Sequence, residues 1–188
     1  MNVYDFDKTI YKKDSSVAFY FFCLRKNPTL LRFLFIQAWY CLLYTLGRIS
    51  KTRLKEGFFS FLRGIGDTDA AVLRFWEKNI RHINLWYREN HKSNDVVISA
   101  SPTFLLSPIC QQLGICHLIG SEVDKKTGAF LSENCYGEEK PRRFKARFKD
   151  TEIERFYSDS LSDAPMARLA KEAFIVKKGR LIPWAEQA

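Results

Sequence analysis

The chain has 188 residues, of which 46% are apolar and 27% are charged. This length is enough to bury a full hydrophobic core, and these proportions exclude an intrinsically disordered protein. The five cysteines are odd in number and form no Cys-x-x-Cys, which argues against a disulfide framework or a zinc site and favours a reducing, cytoplasmic setting.

The net charge of +9 is concentrated in one part of the chain. Residues 12–91 hold 14 Lys and Arg against 6 Asp and Glu, whereas the remaining residues are nearly balanced. A basic segment of this kind is typical of a surface that approaches an anionic partner. A solvated basic face that favours solubility explains the same distribution.

The pattern of apolar residues predicts an α/β protein with a Rossmann-like parallel sheet flanked by helices. Short apolar runs predict strands at residues 2–6, 95–99, 117–121, 155–158 and 173–176. Helical patterns separate the later runs, at residues 103–113, 138–148 and 165–171. Strands that alternate with helices are typical of parallel sheets. Residues 1–16 predict a strand and a polar turn, which is not the pattern of a secretory signal. Hairpins are expected near residues 125–128 and 178–183.

About 80 residues without a strand pattern separate the first two predicted strands, far more than one crossover connection needs. We therefore predict an all-helical cap over residues 13–91, inserted into a core formed by residues 1–12 and 92–188. Asp14 and Asp67 are suitable N-cap residues for two of its helices. Residues 29–46 predict one long apolar helix, and residues 54–62 and 67–90 predict two others.

The first predicted strand ends in Asp5-Phe6-Asp7-Lys8-Thr9. Two aspartates at i and i+2 on an extended chain point to the same face, and open α/β sheets bind ligands at the carboxyl ends of their strands. An ionised aspartate can act as a nucleophile without a general base. A neighbouring carboxyl tends to have a raised pKa, which suits proton transfer. A pair of turn-capping aspartates is the alternative interpretation.

Three further motifs lie at strand ends or open a helix. Ser99 and Ala100 end the second predicted strand just before a helix, where a hydroxyl and free N–H groups form a phosphate cradle. Lys140 opens a later helix. Asp159 and Asp163 follow the fourth predicted strand, where they can complete a cation site with Asp5, and hard oxygen ligands suit Mg²⁺. Taken singly, each motif is better explained by helix capping or surface solvation, and only the set as a whole favours a functional site.

As an ordered set, these motifs resemble the four signatures of the haloacid dehalogenase superfamily, and the similarity covers the whole chain. A helical cap directly after the first motif resembles the phosphoserine-phosphatase-like branch, subfamily IB. Ser99-Ala100-Ser101-Pro102 and Tyr157-Ser158-Asp159-Ser160 point to the same branch. The apolar cap helix and the Tyr-Ser-Asp-Ser run are also similar to the phosphatidylglycerophosphate phosphatases.

This resemblance implies an Mg²⁺-dependent phosphatase that works through an aspartyl-phosphate. Asp5 is then the nucleophile, and Asp7 protonates the leaving oxygen and activates water. The residues implied to bind the phosphoryl group are Thr9, Ser99, Ala100 and Lys140. Those implied to hold Mg²⁺ are Asp5, Asp7 (through its main-chain carbonyl) and Asp159, with Asp163 in support. An acid at the position of Asp7 disfavours halide chemistry, and Lys8 replaces the commoner glycine.

Asp14 lies nine residues after Asp5, where the phosphoserine phosphatases place an acidic residue that contacts the substrate. Helix capping explains Asp14 equally well.

The cap helix bears on the choice of substrate. Residues 29–46 are interrupted only by Arg32 and Gln37, which makes them marginal for a span that needs about 20 apolar residues. With basic residues on both sides, the segment suits the headgroup region of an anionic membrane. Burial against neighbouring helices or in a homodimer is the commoner reason for an apolar helix. A small soluble phosphate ester is therefore the expected substrate, and a lipid phosphate at the membrane surface is the alternative.

Two other classes of function fit less well. Basic residues between 140 and 149 form a stripe that is compatible with nucleic acid, but no groove-reading motif accompanies it, so no nucleic-acid partner is expected. A catalytically silent basic binding protein is also compatible with the charge, although every expected functional group is present.

Overall fold

The fold is given by a computed structural model that describes residues 1–149 and 151–186. Its six-stranded sheet has the order β3-β2-β1-β4-β5-β6. The strands are β1 (Asn2–Tyr4), β2 (Val96–Pro102), β3 (His117–Ser121), β4 (Ile153–Ser158), β5 (Ala170–Lys177) and β6 (Arg180–Pro183). Neighbouring strands from β3 to β5 are parallel, and β6 is antiparallel to β5. The predicted α/β fold with a Rossmann-like sheet is confirmed.

β1 occupies the centre of the sheet, which determines where the motifs meet. Val3 pairs with Val96 of β2 on one side and with Phe156 of β4 on the other. The carboxyl ends of these three parallel strands therefore lie side by side at one edge. Ligands bind at this edge in open α/β sheets.

Every helix between β1 and β2 belongs to the segment predicted as the cap. Its α-helices are α1 (Ser15–Lys26), α2 (Leu34–Thr45), α3 (Lys51–Phe59), α4 (Thr68–Asn79) and α5 (Leu85–Asn90). The later helices are α6 (Thr103–Gln112), α7 (Glu139–Phe148) and α8 (Ala164–Ala167). Where the chain is described, none of the helices has both the length and the apolar character needed to cross a membrane. The exact division at residues 13 and 91 stays a prediction.

Two of the predicted cap helices are interrupted. Residues 29–46 form a 3-10 helix, Pro28–Phe33, before α2 begins. Residues i and i+3 share a face in a 3-10 helix, and this places both Leu30 and Phe33 in the core. The helix predicted over residues 67–90 breaks after α4, because Ile83 bridges to Tyr11 and the Asn84 N–H donates to the Ile10 carbonyl.

The helix predicted over residues 165–171 is wrong in its second half. α8 ends at Ala167, and Ala170 already pairs with Ile153 at the start of β5. Pairing with β4 therefore overrides the helical pattern. Both predicted hairpins are present: Val123 bridges to Phe130, and β5 turns into β6 through Lys178 and Gly179, both at positive φ.

The core lies on both faces of the sheet. Alternate strand residues enter two apolar clusters: Val3, Val96 and Phe156 pack towards α7, whereas Tyr4, Val97 and Tyr157 pack towards the helices that follow β1. α2 contributes no buried residue to either cluster. The segment predicted as one apolar helix is therefore buried at its start, through Leu30 and Phe33, and α2 packs on the rest of the chain through partly buried residues such as Ile36. Burial of its outer face in a homodimer stays a prediction.

Candidate active site

Asp5, Lys140 and Asp163 meet at the carboxyl edge of the sheet. Asp5 directly follows β1, Lys140 lies in the first turn of α7, and Asp163 follows β4. The Lys140 ammonium donates to Asp5 Oδ1 at 2.8 Å and to Asp163 Oδ2 at 2.7 Å. The Ser158 hydroxyl donates to the same Asp163 oxygen at 2.7 Å. Three motifs separated by up to 158 residues thus form one buried cluster.

Burial and neighbouring charges shift the pKa values of Asp5 and Lys140 in opposite directions. Burial raises the pKa of the Asp5 carboxyl to about 7, and the Lys140 ammonium opposes the rise. Burial alone would lower the pKa of Lys140, but the carboxylates of Asp5 and Asp163 outweigh it and raise that pKa. Lys140 therefore stays charged at neutral pH, beside the predicted nucleophile.

Asp7 is held by two donors from different parts of the chain. The backbone N–H of Ser15 donates to Oδ1 at 2.7 Å, and the Ser101 hydroxyl donates to Oδ2 at 2.5 Å. Burial raises the pKa of Asp7 to about 6, the Asp14 carboxylate adds to the rise, and the two donors oppose it. A carboxyl that titrates near neutral pH suits both proton donation and proton removal.

The backbone after Asp5 turns sharply. Lys8 has φ of 55°, a conformation that glycine adopts most easily, which agrees with the glycine that the resemblance leads one to expect at this position. Thr9 is fully buried, its hydroxyl lacks a hydrogen-bond partner, and its carbonyl accepts from Asn84 Nδ2 at 2.6 Å. Thr9 is the predicted site residue that does not line the cleft.

The other predicted residues surround a cleft of about 390 Å³. Its sheet side is formed by Asp5, Asp7, Ser99, Ala100, Lys140, Asp159 and Asp163. β2 continues through Ser101 to Pro102, beyond the predicted end at residue 99. Within it, the Ser99 hydroxyl accepts from the backbone N–H of Ser101 at 3.2 Å. Asp14 also lines the cleft, and its Oδ1 accepts from the Val17 N–H at 2.9 Å. Its capping role is confirmed, and contact with substrate stays a prediction.

The donor set at the sheet edge fits a hard divalent cation. Asp5 and Asp159 both face the cleft, and burial raises the pKa of each carboxyl. A bound cation would offset that cost, because positive charge nearby favours the ionised form. Where the chain is described, no three His, Cys, Asp or Glu side chains gather as a metal cluster. The fitting set is therefore two carboxylates with the main-chain carbonyl of Asp7, which suits Mg²⁺.

Two lysines of α3 also line this cleft and were not among the predicted site residues. Lys55 reaches across to the sheet, where its ammonium donates to the Ala100 carbonyl at 2.9 Å and to Asn134 Oδ1 at 3.1 Å. Burial lowers its pKa to about 8, although Asp7 and Asp14 act to raise it. Lys51 lies 3.4 Å from the centre of the Tyr136 ring. The i, i+4 spacing of the two lysines on a helix is the signal that was available.

The basic residues of α7 have structural partners. Arg142 and Arg143 both pair with Glu139, and Arg143 also donates to the Gly120 carbonyl. Arg147 donates to the Leu118 carbonyl, and Lys140 is buried in the acidic cluster. These partners account for much of the stripe that sequence alone makes compatible with nucleic acid.

Comparison with known proteins identifies the family. A model of the haloacid dehalogenase-like hydrolases matches residues 3–168. The chain belongs to this family. No curated protein matches it.

Solved structures place the hydrolase among similar folds. A protein of unknown function from Bordetella pertussis Tohama I has a TM-score of 0.75 at 18% identity, over 93% of this chain and 88% of that chain. A phosphoserine phosphohydrolase-like protein from Francisella tularensis subsp. tularensis SCHU S4 has a TM-score of 0.58 at 17% identity, over 95% and 88%. A substrate-bound phosphoserine phosphatase has 0.51 at 16% identity, over 91% and 82%. At these identities the likeness shows the fold alone, and the family match shows a hydrolase.

Proposed function

We propose that this hydrolase cleaves phosphate monoesters through a phosphoryl group carried by Asp5. The observation that carries the proposal is the contact of Lys140 with both Asp5 and Asp163. A fixed ammonium beside a buried carboxylate can neutralise phosphoryl oxygens while the carboxylate attacks phosphorus. A purely structural ion pair would not need a cleft that opens onto it.

The proposed reaction has two steps. An Asp5 oxygen attacks phosphorus, the bond from phosphorus to the ester oxygen breaks, and Asp7 gives its proton to that leaving oxygen. Asp7, now ionised, takes a proton from water, whose oxygen attacks phosphorus and releases inorganic phosphate and the Asp5 carboxylate. The hydrogen bonds from Ser15 and Ser101 hold Asp7 in position for both transfers.

Asp5, Asp159 and the main-chain carbonyl of Asp7 would hold Mg²⁺. When bound, this cation supplies positive charge towards the phosphoryl oxygens. Ser99 and Lys140 bind the same oxygens from the protein side, with Asp163 fixing the ammonium of Lys140. The role of Asp163 is thus to position another residue.

The substrate that the cleft fits best is a small soluble phosphate ester. The cleft has a volume of about 390 Å³, which leaves room for a compact leaving group beside the phosphoryl position. The cap side of the cleft carries Lys51, Lys55 and the rings of Phe58 and Phe59. A phosphate ester carried by a lipid is a second candidate, and the observation that favours it is the exposed apolar face of α2.

Hydrolysis of p-nitrophenyl phosphate with added Mg²⁺ tests the proposal. The wild type is expected to release phosphate, and Asp5→Asn is expected to lose activity by a factor of at least about 10³, because an amide is a poor nucleophile. Activity that survives Asp5→Asn would remove Asp5 from its proposed role. Absence of turnover in the wild type with all phosphate esters tried would favour a silent binding protein.

A further inference from the structure

α2 and the turns at its two ends display a continuous apolar surface. Five large side chains follow one face at spacings of three or four residues: Leu31, Phe35, Trp39, Leu42 and Leu46. We call this set the α2 stripe. Their exposed fractions run from 46% at Leu31 to 84% at Phe35, so the stripe is open to solvent along its whole length. Soluble monomers rarely leave an uninterrupted apolar row of this kind uncovered.

The opposite face of α2 is fixed to the rest of the chain. Gln37 accepts from the Tyr20 hydroxyl at 3.1 Å and donates to the Phe58 carbonyl at 3.0 Å. Tyr40 packs so closely on Gly57 of α3 that an added Cβ would lie 2.3 Å from its ring. Rotation of α2 about its axis would break these contacts. The outward direction of the stripe is therefore set by the fold.

The segment that carries the stripe is basic. Residues 15–55 contain no Asp or Glu and hold seven basic residues: Arg25, Lys26, Arg32, Arg48, Lys51, Arg53 and Lys55. Lys51 and Lys55 of this set point into the cleft, and Arg53 pairs with Glu56. Arg32 precedes α2 and Arg48 follows it, and both side chains are exposed. An apolar face with basic residues at both ends is complementary to a surface that offers hydrocarbon beneath anionic headgroups.

We propose that the cap docks on the surface of an anionic lipid bilayer through the α2 stripe. α2 has 12 residues, a length of about 18 Å, against a hydrocarbon thickness of about 30 Å. It therefore lies along the interface, with the rings of Phe35 and Trp39 at the boundary between headgroups and acyl chains. α3, on the other side of α2, carries Lys51 and Lys55 into the cleft.

A second copy of this chain is the competing occupant. A two-fold dimer through the stripe would bring the exposed Arg32 and Arg48 of both copies together, and residues 15–55 hold no Asp or Glu to pair with them. Like charges that face each other across an interface oppose association. Anionic headgroups remove this repulsion, which is why the bilayer is the better partner.

Cosedimentation of the full chain with vesicles tests the proposal. The vesicles are phosphatidylcholine alone or phosphatidylcholine mixed with phosphatidylglycerol, at about 0.05 M and 0.5 M salt. The variant carries Phe35→Ser and Trp39→Ser. The matched control is Leu131→Ser, because Leu131 is 68% exposed but lies outside the stripe. Circular dichroism and hydrolysis of p-nitrophenyl phosphate are measured on all three proteins.

We expect binding to the anionic vesicles at low salt and weaker binding at high salt. Loss of the two rings should weaken binding by at least ~10-fold, since each large apolar side chain contributes substantially to partition. Leu131→Ser should bind as the wild type does, and all three proteins should hydrolyse the soluble ester equally. A blue shift of Trp39 fluorescence on binding, absent in Trp39→Phe, would place the stripe in the interface.

Three results would overturn the proposal: no binding at low salt, equal binding by the stripe variant, or a dimer that the stripe substitutions dissociate while vesicles leave it intact. Sedimentation velocity provides the dimer measurement. Hydrolysis of the soluble ester is read separately, so failure of docking and failure of the proposed activity are distinguishable.

Discussion

Replacement of Lys140 by methionine should destabilise the hydrolase strongly at neutral and alkaline pH. Its ammonium hydrogen-bonds Asp5 at 2.8 Å and Asp163 at 2.7 Å, and all three side chains are buried. Methionine fills much of the volume but leaves two carboxyl groups without a cation. Loss of one partner from a buried ion pair costs about 3–5 kcal/mol, a large share of the roughly 5–15 kcal/mol typical of a whole domain.

The dependence of this loss on pH is determined by Asp5. Burial raises the pKa of Asp5, and without Lys140 no ammonium opposes that rise. The folded state then binds more protons than the unfolded chain, so its stability falls as the pH rises from about 4 through the folded-state pKa of Asp5. The free energy lost on Lys140→Met should therefore be larger at pH 8 than at pH 5. Adding Asp163→Asn should recover part of it, since one buried charge is removed.

Urea unfolding followed by circular dichroism measures these differences, with Mg²⁺ omitted. Lys145→Met is the matched control, because Lys145 lies on the same helix with an exposed side chain. We expect the control to change the free energy of unfolding by less than about 0.5 kcal/mol. A loss on Lys140→Met below about 1 kcal/mol at pH 8, or equal losses at pH 5 and pH 8, would refute this reasoning.

Two further predictions concern proton binding in the cleft. Ser101→Ala removes a donor that opposes the raised pKa of Asp7, so that pKa should rise from about 6. With an alkyl phosphate as substrate, the basic limb of the kcat/KM profile should then move up by about one pH unit, and an unchanged limb would contradict the proton-donor role. Lys55→Gln tests a buried cation whose pKa burial lowers from 10.5 to about 8. The free energy of unfolding of the wild type should rise relative to that of the variant between about pH 8 and 10.5, because the unfolded chain keeps the Lys55 proton to higher pH than the folded chain does. A difference in urea unfolding that stays constant over this range would contradict the lowered pKa.

The sequence identified the groups at the sheet edge because their positions depend on local rules. Asp5, Ser99 and Asp159 each follow or end an apolar run that can only be a buried strand, and parallel strands bring their carboxyl ends together. Because β1 lies between β2 and β4, Asp5 is at the centre of this edge, where Lys140 contacts it. Local capping chemistry likewise located the start of α1 at Asp14.

The residues that were missed act across large separations in the chain. Lys55 contacts Ala100, and Ser101 contacts Asp7. The i, i+4 spacing of Lys51 and Lys55 indicates only a shared helix face, and no local pattern shows what that face contacts. The break after α4 has the same origin, since Asn84 is held by the carbonyls of Thr9 and Ile10. The exposure of the outer face of α2 could not be predicted for a related reason: an apolar pattern indicates that a helix needs partners, and only the folded chain shows which of its faces find them within the chain.

Mass spectrometry of the enzyme, quenched in acid during turnover of p-nitrophenyl phosphate, tests directly whether Asp5 is the nucleophile. Asp7→Asn is the best protein for it, because p-nitrophenolate leaves without a proton from Asp7, whereas attack by water still needs the base, so the phosphoryl group should accumulate. One phosphoryl group is expected on the peptide that contains Asp5, absent when Asp5→Asn is added. Turnover with no phosphorylated peptide, or with the phosphoryl group on another residue, would contradict Asp5 as the nucleophile.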